Sequence, residues 1–337
     1  MRIVLDAMGG DFAPQVPVMG AVQAAKELGV KVILTGEEEL LKRELSKYSY
    51  PAELIEVVDA PQAVSMEEQP AKALKKRNSS IHVGLNLVKE GKADAFVSAG
   101  NTGAVMAISL FTVGRIRGVE RPAITAILPS LIGYTFLLDV GANVDCKPSH
   151  LLQFAVMGSA YARYVLGEEN PKVGLLNVGE EEGKGNELTK EAYKLLKAAK
   201  EKGLNFVGNA EGRDIYSGRF DVIVCDGFVG NVCLKLSESL AKILAKILKE
   251  EIEKHFISKI GAITLKPAIK GFKRRIDYAE IGGAPLLGLN APVIISHGSS
   301  NAKAIKNAIR TATRFVKSEL NRHIEKEIGK FGKGNGD

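Results

Sequence analysis

The segment Ser98-Ala99-Gly100-Asn101-Thr102-Gly103-Ala104 has the composition of an anion-binding turn. It follows Ala93-Asp94-Ala95-Phe96-Val97, which reads as a buried strand, and it opens Val105 to Leu110, which reads as an apolar helix. A strand that ends in small residues and feeds a helix N-terminus gathers several backbone N–H groups in one concavity, and such a concavity favours an anion. Gly100 and Gly103 permit close backbone approach, and Asn101 and Thr102 add side-chain hydrogen bonds. An ordinary small-residue turn has the same composition, so the neighbouring segments must decide.

Six further clusters of Gly, Asn and charged residues stand where other strands would end: Asp6 to Asp11 (with Gly9 and Gly10), Asp139 to Asp145 (with Asn143), Gly179 to Asn186 (with Lys184), Asn209 to Asp214 (with Arg213), Asp226 to Asn231, and His297 to Asn301. Each alone is what a turn requires. Together they are expected to crowd into one cleft, because open parallel sheets bind ligands at the carboxyl ends of their strands.

The elements that must position these clusters alternate. Arg2 to Asp6, Lys31 to Thr35, Leu54 to Asp59, Ile124 to Leu128, Tyr134 to Val140, Val173 to Val178, Asn205 to Gly208, Asp221 to Cys225 and Pro292 to Ser296 are near-continuous aliphatic runs, as parallel strands buried on both faces read. Helical spacing fills most of the intervals. The five residues between the runs at 128 and 134 fit an antiparallel hairpin. Ser149 to Leu166 is predicted as one long helix capped by Ser149, and Ala302 to His323 as one closing helix. The pattern is α/β with a doubly wound, mostly parallel sheet. It reads as a single domain over residues 1–337, interrupted by a projecting helical hairpin over 237–276, with a frayed tail from Gly329.

Composition narrows the function. The formal charge of +7 suggests an anionic partner but is too mild to imply nucleic acid, and the absence of Trp leaves no base-stacking pattern. Cys146, Cys225 and Cys233 have no metal-ligand spacing, and an odd count fits a reducing cytosol. The first strand is no signal peptide, and no apolar run approaches the roughly 20 residues of a membrane span. The motifs of a dinucleotide fold, a phosphate loop and a nucleophile elbow are all missing. No metal and no cofactor are expected.

Asp6-Ala7-Met8-Gly9-Gly10-Asp11, Ser98 to Ala104, Asp139-Val140-Gly141-Ala142-Asn143, Asn177-Val178-Gly179, Asn209-Ala210-Glu211-Gly212-Arg213, Asp226 to Asn231 and Gly282-Gly283-Ala284-Pro285-Leu286-Leu287-Gly288 resemble, in order and over nearly the whole chain, the bacterial phosphate acyltransferases of phospholipid synthesis. The resemblance implies formation of acyl phosphate from acyl-(acyl carrier protein) and inorganic phosphate. It also implies an isocitrate/isopropylmalate dehydrogenase-like and phosphotransacetylase-like fold, a homodimer, and delivery of product to a membrane-bound glycerol-3-phosphate acyltransferase. The rival readings are an acetyl- or butyryl-phosphate transferase using coenzyme A and an NAD-dependent decarboxylating dehydrogenase.

For that chemistry the Ser98–Gly103 turn is the first choice for phosphate. Lys184 is a cation for phosphate or oxyanion, or else a solvated loop lysine. Asn186, Asn209 and Asn231 are hydrogen-bond donors. His297 is the candidate acid for the leaving thiolate, or else a capping or core histidine, and His150 reads as structural or a neutral donor. Asp6, Asp11 and Asp226 would orient Lys184, Arg213 or loop N–H groups, since carboxylates repel phosphate. Charge alone offers Arg115, Arg117, Arg121 and Lys147 to an acidic carrier protein. In the hairpin, Phe256 to Ile276 carries six basic and no acidic residues among aliphatics. It reads as a peripheral contact to an anionic membrane, or as an arm at a dimer interface, or both.

Overall fold

The computed structural model describes residues 1–254, 258, 261, 264–276 and 282–331. Eleven strands form one sheet in the order β3-β2-β1-β4-β11-β10-β5-β6-β9-β7-β8. In chain order they are β1 (Arg2–Asp6), β2 (Lys31–Gly36), β3 (Ile55–Asp59), β4 (Ala95–Ser98), β5 (Ala123–Ser130), β6 (Gly133–Leu138), β7 (Val173–Leu176), β8 (Phe206–Ala210), β9 (Val222–Val224), β10 (Ala284–Leu287) and β11 (Val293–Ile295). The helices are α1 (Gln15–Leu28), α2 (Glu38–Leu45), α3 (Pro70–Ala73), α4 (Ser80–Lys89), α5 (Thr102–Thr112), α6 (Pro148–Leu166), α7 (Glu187–Ala199), α8 (Gly227–Lys254), α9 (Lys266–Ile276), α10 (Ala302–Lys317) and α11 (Leu320–Gly329).

The aliphatic runs become strands because both faces of the sheet are covered. Ile3 and Leu5 of β1 enter one core and Val4 the other; Val32 and Leu34 of β2 part from Ile33, and Val222 and Val224 of β9 part from Ile223, in the same way. This is the period of two expected of a strand between two helical layers. Helices α1, α6 and α10 pack on the first face, and α4 and α5 on the second. Helix α10 crosses α1 so closely that a Cβ on Gly20 would stand 2.6 Å from Ile305.

Not all strands run one way. β10 is antiparallel to both β11 and β5, and β5 is antiparallel to β6 in the expected hairpin. The group β3, β2, β1, β4, β11 is parallel within itself, as is the group β6, β9, β7, β8, and the three antiparallel junctions between them reverse the sense.

Several expectations need correction. β10 carries no aliphatic run long enough to stand out and was legible only as part of a family motif. The closing helix is two helices, because Glu319 takes a left-handed conformation (φ 48°) between α10 and α11. Lys147 rather than Ser149 occupies the N-cap of α6, with Pro148 in its first turn. Helix α8 starts at Gly227, ten residues before the expected start at Ser237, because Asp226 accepts from Val229 N–H and opens the helix there. Much of the hairpin tip, including Phe256, Ile257, Lys259, Ile260 and Ile263, lies outside the described residues.

Helix α4 holds a buried titratable group. His82 is 1% exposed, and its Nδ1 pairs with Ser79 Oγ at 3.1 Å. Burial lowers its pKa, with Arg77 adding to the effect. The unfolded chain therefore binds a proton near pH 6.5 that the folded chain resists, and stability falls as pH drops below that value. His82→Asn should flatten the fall in melting temperature between pH 7.5 and 5.5. Wild type and variant are compared at each pH, because burial raises the carboxyls of Asp6 and Asp139 and these act in the opposite sense. Parallel curves for the two proteins would refute this assignment.

Candidate active site

Three of the seven loops lie together. β1, β4 and β11 are neighbours, and the chain leaves β1 towards β2 but leaves β4 towards β5. The crevice at their carboxyl ends is thus a topological switch point, where open α/β sheets bind ligands. Asp6 lies beneath it, 1% exposed, accepting from Ser98 Oγ at 2.7 Å and Met8 N–H at 3.1 Å. Ser98 Oγ in turn accepts from Gly100 N–H at 3.0 Å. Burial pushes the Asp6 carboxyl above its ordinary range, against the pull of hydrogen bonds from Ser80, Ser98, Met8 and Gly9. It braces the first loop against the second.

Gly9 lets those two loops meet: a Cβ there would stand 2.5 Å from Asp6 Oδ2 and 2.7 Å from Gly100 N. The third loop closes on the first through Asp11 N–H, which donates to Gly298 O at 2.9 Å, beside Gly10. Asn101 does not offer its side chain to an anion. Its Oδ1 accepts from Ala104 N–H, and its Nδ2 donates to the carbonyls of Met66 and Glu68, each at 2.8 Å. The N–H groups of Thr102 and Gly103, in the first turn of α5, have no acceptor within the helix. His297 lies just beyond β11, next to Ser296, whose N–H donates to Ser98 O at 2.8 Å. Its Nδ1 accepts from Ser299 N–H at 3.1 Å and meets Ser299 Oγ at 2.8 Å, which places the ring proton on Nε2.

The other four loops form a second group, after β6, β9, β7 and β8. Asp139, fully buried, accepts from the N–H groups of Ile124, Gly141, Ala142 and Asn143 and from Asn143 Nδ2. Burial raises its carboxyl and these bonds oppose the rise. Asn143 Nδ2 also donates to Pro122 O at 2.7 Å, and Asn231 Nδ2 to Val140 O at 3.1 Å. Asn186 caps α7 by accepting from Thr189 N–H, and buried Asn209 donates to Glu181 O at 2.8 Å. Arg213 pairs with Glu211 at 2.8 Å and Glu180 at 3.5 Å. Lys184 differs. Its stem packs over Gly179, its backbone is held by Glu181 O and Asn177 Nδ2, and no carboxylate among the described residues lies within ion-pair distance of its ammonium. Nearby Lys197 and Arg219 are both paired.

The seven loops therefore do not share one cleft within a single chain. The two groups hang from strands of opposite sense, so they leave opposite edges of the sheet, and β1 and β7 stand seven places apart, roughly 33 Å at the usual strand spacing. Gly9, Gly10, Ser98, Gly100, Asn101, Thr102, Gly103 and His297 gather with Asp6 in the first group. Lys184, Asn186, Asn143, Asn209, Arg213, Asp226 and Asn231 gather in the second. Sequence reasoning also missed Asp139 as the hub of the second group; five donors converging on one carboxylate cannot be read from spacing.

The thiols offer no nucleophile. Burial pushes Cys146 up to about 12 and raises Cys225 and Cys233 as well. Among the described residues no cluster of three His, Cys, Asp or Glu side chains is placed to hold a metal. Also among them, no helix is long and apolar enough to cross a membrane.

The architecture is an α/β fold of the phosphotransacetylase type. A phosphotransacetylase from Streptococcus pyogenes superposes with a TM-score of 0.65 at 17% identity, covering 95% of this chain and 94% of that one. A 4-hydroxythreonine-4-phosphate dehydrogenase from Klebsiella pneumoniae superposes with a TM-score of 0.56 at 14% identity, covering 94% of this chain and 99% of that one. These likenesses correct the fold expected from sequence: the relationship is to phosphotransacetylases and 4-hydroxythreonine-4-phosphate dehydrogenases, not specifically to isocitrate or isopropylmalate dehydrogenases. Sequence carries the assignment further. The family described as fatty acid synthesis protein matches residues 1–323. The phosphate acyltransferase of Aquifex aeolicus is 56% identical over 325 residues, 96% of each chain, and that of Pelotomaculum thermopropionicum is 56% identical over 329 residues, covering 97% of this chain and 95% of the other. The chain belongs to the phosphate acyltransferase family, and it is an enzyme of that type.

Proposed function

We propose that the enzyme transfers an acyl group from acyl-(acyl carrier protein) to inorganic phosphate, with phosphate held at the crevice between β1 and β4. The observation that carries this reading is the pairing there of open N–H donors on Thr102 and Gly103 with a histidine locked as its Nε2–H tautomer. A phosphate oxygen attacks the thioester carbon, charge builds on the carbonyl oxygen, and the C–S bond then breaks to release the carrier thiolate. His297 serves better as a hydrogen-bond donor to the oxyanion than as a proton donor, since its Nδ1 is already an acceptor. The thiolate is stable enough to leave without full protonation. No acyl-enzyme is needed, in keeping with three thiols raised by burial.

The reading places Lys184 at the same reaction through a second copy of the chain. Helix α8 starts in the second group of loops and exposes Val232, Leu236, Leu240, Ile243, Leu244, Ile247 and Leu248 at helical spacing, all at least 49% exposed. Such a stripe on a 28-residue helix fits pairing with its copy in a homodimer, which sets the second group of one chain at the interface. Leu240→Glu/Leu244→Glu should convert the dimer to monomer in sedimentation velocity and abolish activity. A wild-type monomer would remove this part of the reading.

The product's destination is a membrane-bound glycerol-3-phosphate acyltransferase, and the protein works at the cytoplasmic membrane surface. Exposed Leu265 and Phe272 among Lys266 and Lys270 support contact with anionic lipid through 256–276. Loss of anionic-vesicle co-sedimentation in Ile257→Asp/Ile260→Asp tests that contact. The activity itself is tested by incubating the protein with acyl carrier thioester and phosphate and trapping acyl phosphate as its hydroxamate. Hydroxamate from acyl-CoA but none from the carrier thioester would favour the coenzyme A reading instead.

A further inference from the structure

The C-terminal end of α5, the loop 113–121 and the start of α6 enclose a depression of about 900 Å³. Arg115, Arg117, Arg121 and Lys147 line it, with Glu120 as its one carboxylate. That carboxylate is already engaged: His150 Nε2 lies 3.2 Å from it, and Ser149 Oγ donates to it at 3.3 Å. Arg115 is engaged too, its guanidinium donating to the Glu120 carbonyl. Among the described residues, no carboxylate lies within ion-pair distance of Arg117, Arg121 or Lys147. Three exposed cations without counter-charges thus share one concave surface.

The surface is built rather than incidental. Ile116 and Val119 are buried beneath the loop at 4% and 5% exposure. Ile116 N–H donates to Gly288 O at 3.0 Å, while Asn290 donates to Gly114 O through its N–H and to Val113 O through Nδ2. The cations therefore project from a loop pinned at several points, which lowers the ordering cost of binding. Phe111, 71% exposed, adds an apolar patch at the rim. The depression adjoins the second group of loops: Arg121 precedes Pro122, whose carbonyl accepts from Asn143, and Lys147 follows four residues after Asn143.

We propose that this depression docks the acidic carrier protein, and that Arg117, Arg121 and Lys147 hold the phosphodiester joining the carrier to its pantetheine arm. The proposal rests on the acyl-transfer reading above and adds where the donor sits. Guanidinium forks match phosphate oxygens in pairs, and a like-signed concave patch steers an acidic partner towards it. The arm would then run past Asn143 towards the interface where Lys184 lies.

The test uses Arg117→Glu/Arg121→Glu and, as a milder pair, Arg117→Ala/Arg121→Ala, each checked for unchanged thermal melting. The ratio of kcat/KM for acyl-carrier to that for acyl-pantetheine, which lacks both carrier and phosphodiester, should fall at least tenfold with charge reversal and less with alanine. The affinity of holo-carrier by fluorescence anisotropy should fall at least tenfold and lose most of its salt dependence, while KM for phosphate stays within twofold. An unchanged ratio and unchanged anisotropy would overturn the docking site, as would loss of anionic-vesicle binding with carrier affinity intact. If the wild type yields no acyl phosphate from any donor, the acyl-transfer reading fails, whereas carrier anisotropy still decides the docking surface.

Discussion

Lys184→Ala should lower kcat/KM for acyl phosphate formation about 100- to 1,000-fold, the usual effect of removing one preorganised charge from a developing oxyanion. The loop after β7 carries three glutamates, and its neighbouring cations are tied to them: Lys197 to Glu182, and Arg213 and Arg219 to Glu180. Lys184 is held by its backbone and stem, yet its ammonium meets no carboxylate among the described residues. An exposed lysine adds little to stability, so the melting temperature should move by no more than a degree or so. Lys184→Arg should recover part of the loss, because the charge returns on a different fork. A loss under threefold would leave Lys184 a solvated loop residue. The same variant tests the division of the site between copies. Lys184→Ala and His297→Ala proteins, each impaired alone, are refolded together so that chains exchange. If each site takes one group of loops from each copy, mixed dimers contain one intact site, and about a quarter of wild-type activity should return. If both residues serve the same chain, the mixture should stay as impaired as its parts.

The sequence was most readable where the physics is local. Aliphatic runs such as Ile3 to Leu5 and Val222 to Val224 declared themselves as strands because both faces are covered, whereas Asn101 and Asn186, read as ligand donors, prove to be helix caps whose side-chain oxygens accept an open N–H. Strand direction was not local. Reversal of the second half is set at β10 and β5, through pairings between residues far apart in sequence, such as Leu286 with Ile124. That single long-range fact splits seven similar loops into two groups. The same limit explains Asn101: its type and position suggested a ligand donor, but only the folded chain brings the carbonyls of Met66 and Glu68 within reach of its amide. Charge in the Arg115 to Lys147 stretch was visible as composition. Its concavity was not, since that depends on Gly288 and Asn290 pinning the loop.

Gly9→Ala should reduce activity at least 100-fold and also destabilise the protein by about 1–3 kcal/mol, the usual range for overpacking. The added Cβ would lie 2.5 Å from Asp6 Oδ2 and 2.7 Å from Gly100 N, and neither atom can retreat cheaply. Asp6 is fixed by Ser98 and Met8, and Gly100 by Ser98, which also accepts on its backbone from Ser296. The strain must therefore move the first loop away from the second. That shift carries Thr102 and Gly103 away from the proposed phosphate position, and a displacement near 1 Å costs on the order of 100-fold in rate. Gly183→Ala is the control: it is also a loop glycine, but nothing lies within 4 Å of its added Cβ. It should melt within a degree or two of wild type, and its activity should fall far less than that of Gly9→Ala. The loss in Gly9→Ala should show in both kcat and the KM for phosphate, since both depend on the donors' placement, while carrier affinity, set at the other edge of the sheet, should hold. Wild-type kinetics in Gly9→Ala would mean that the β1–β4 crevice is not where phosphate binds.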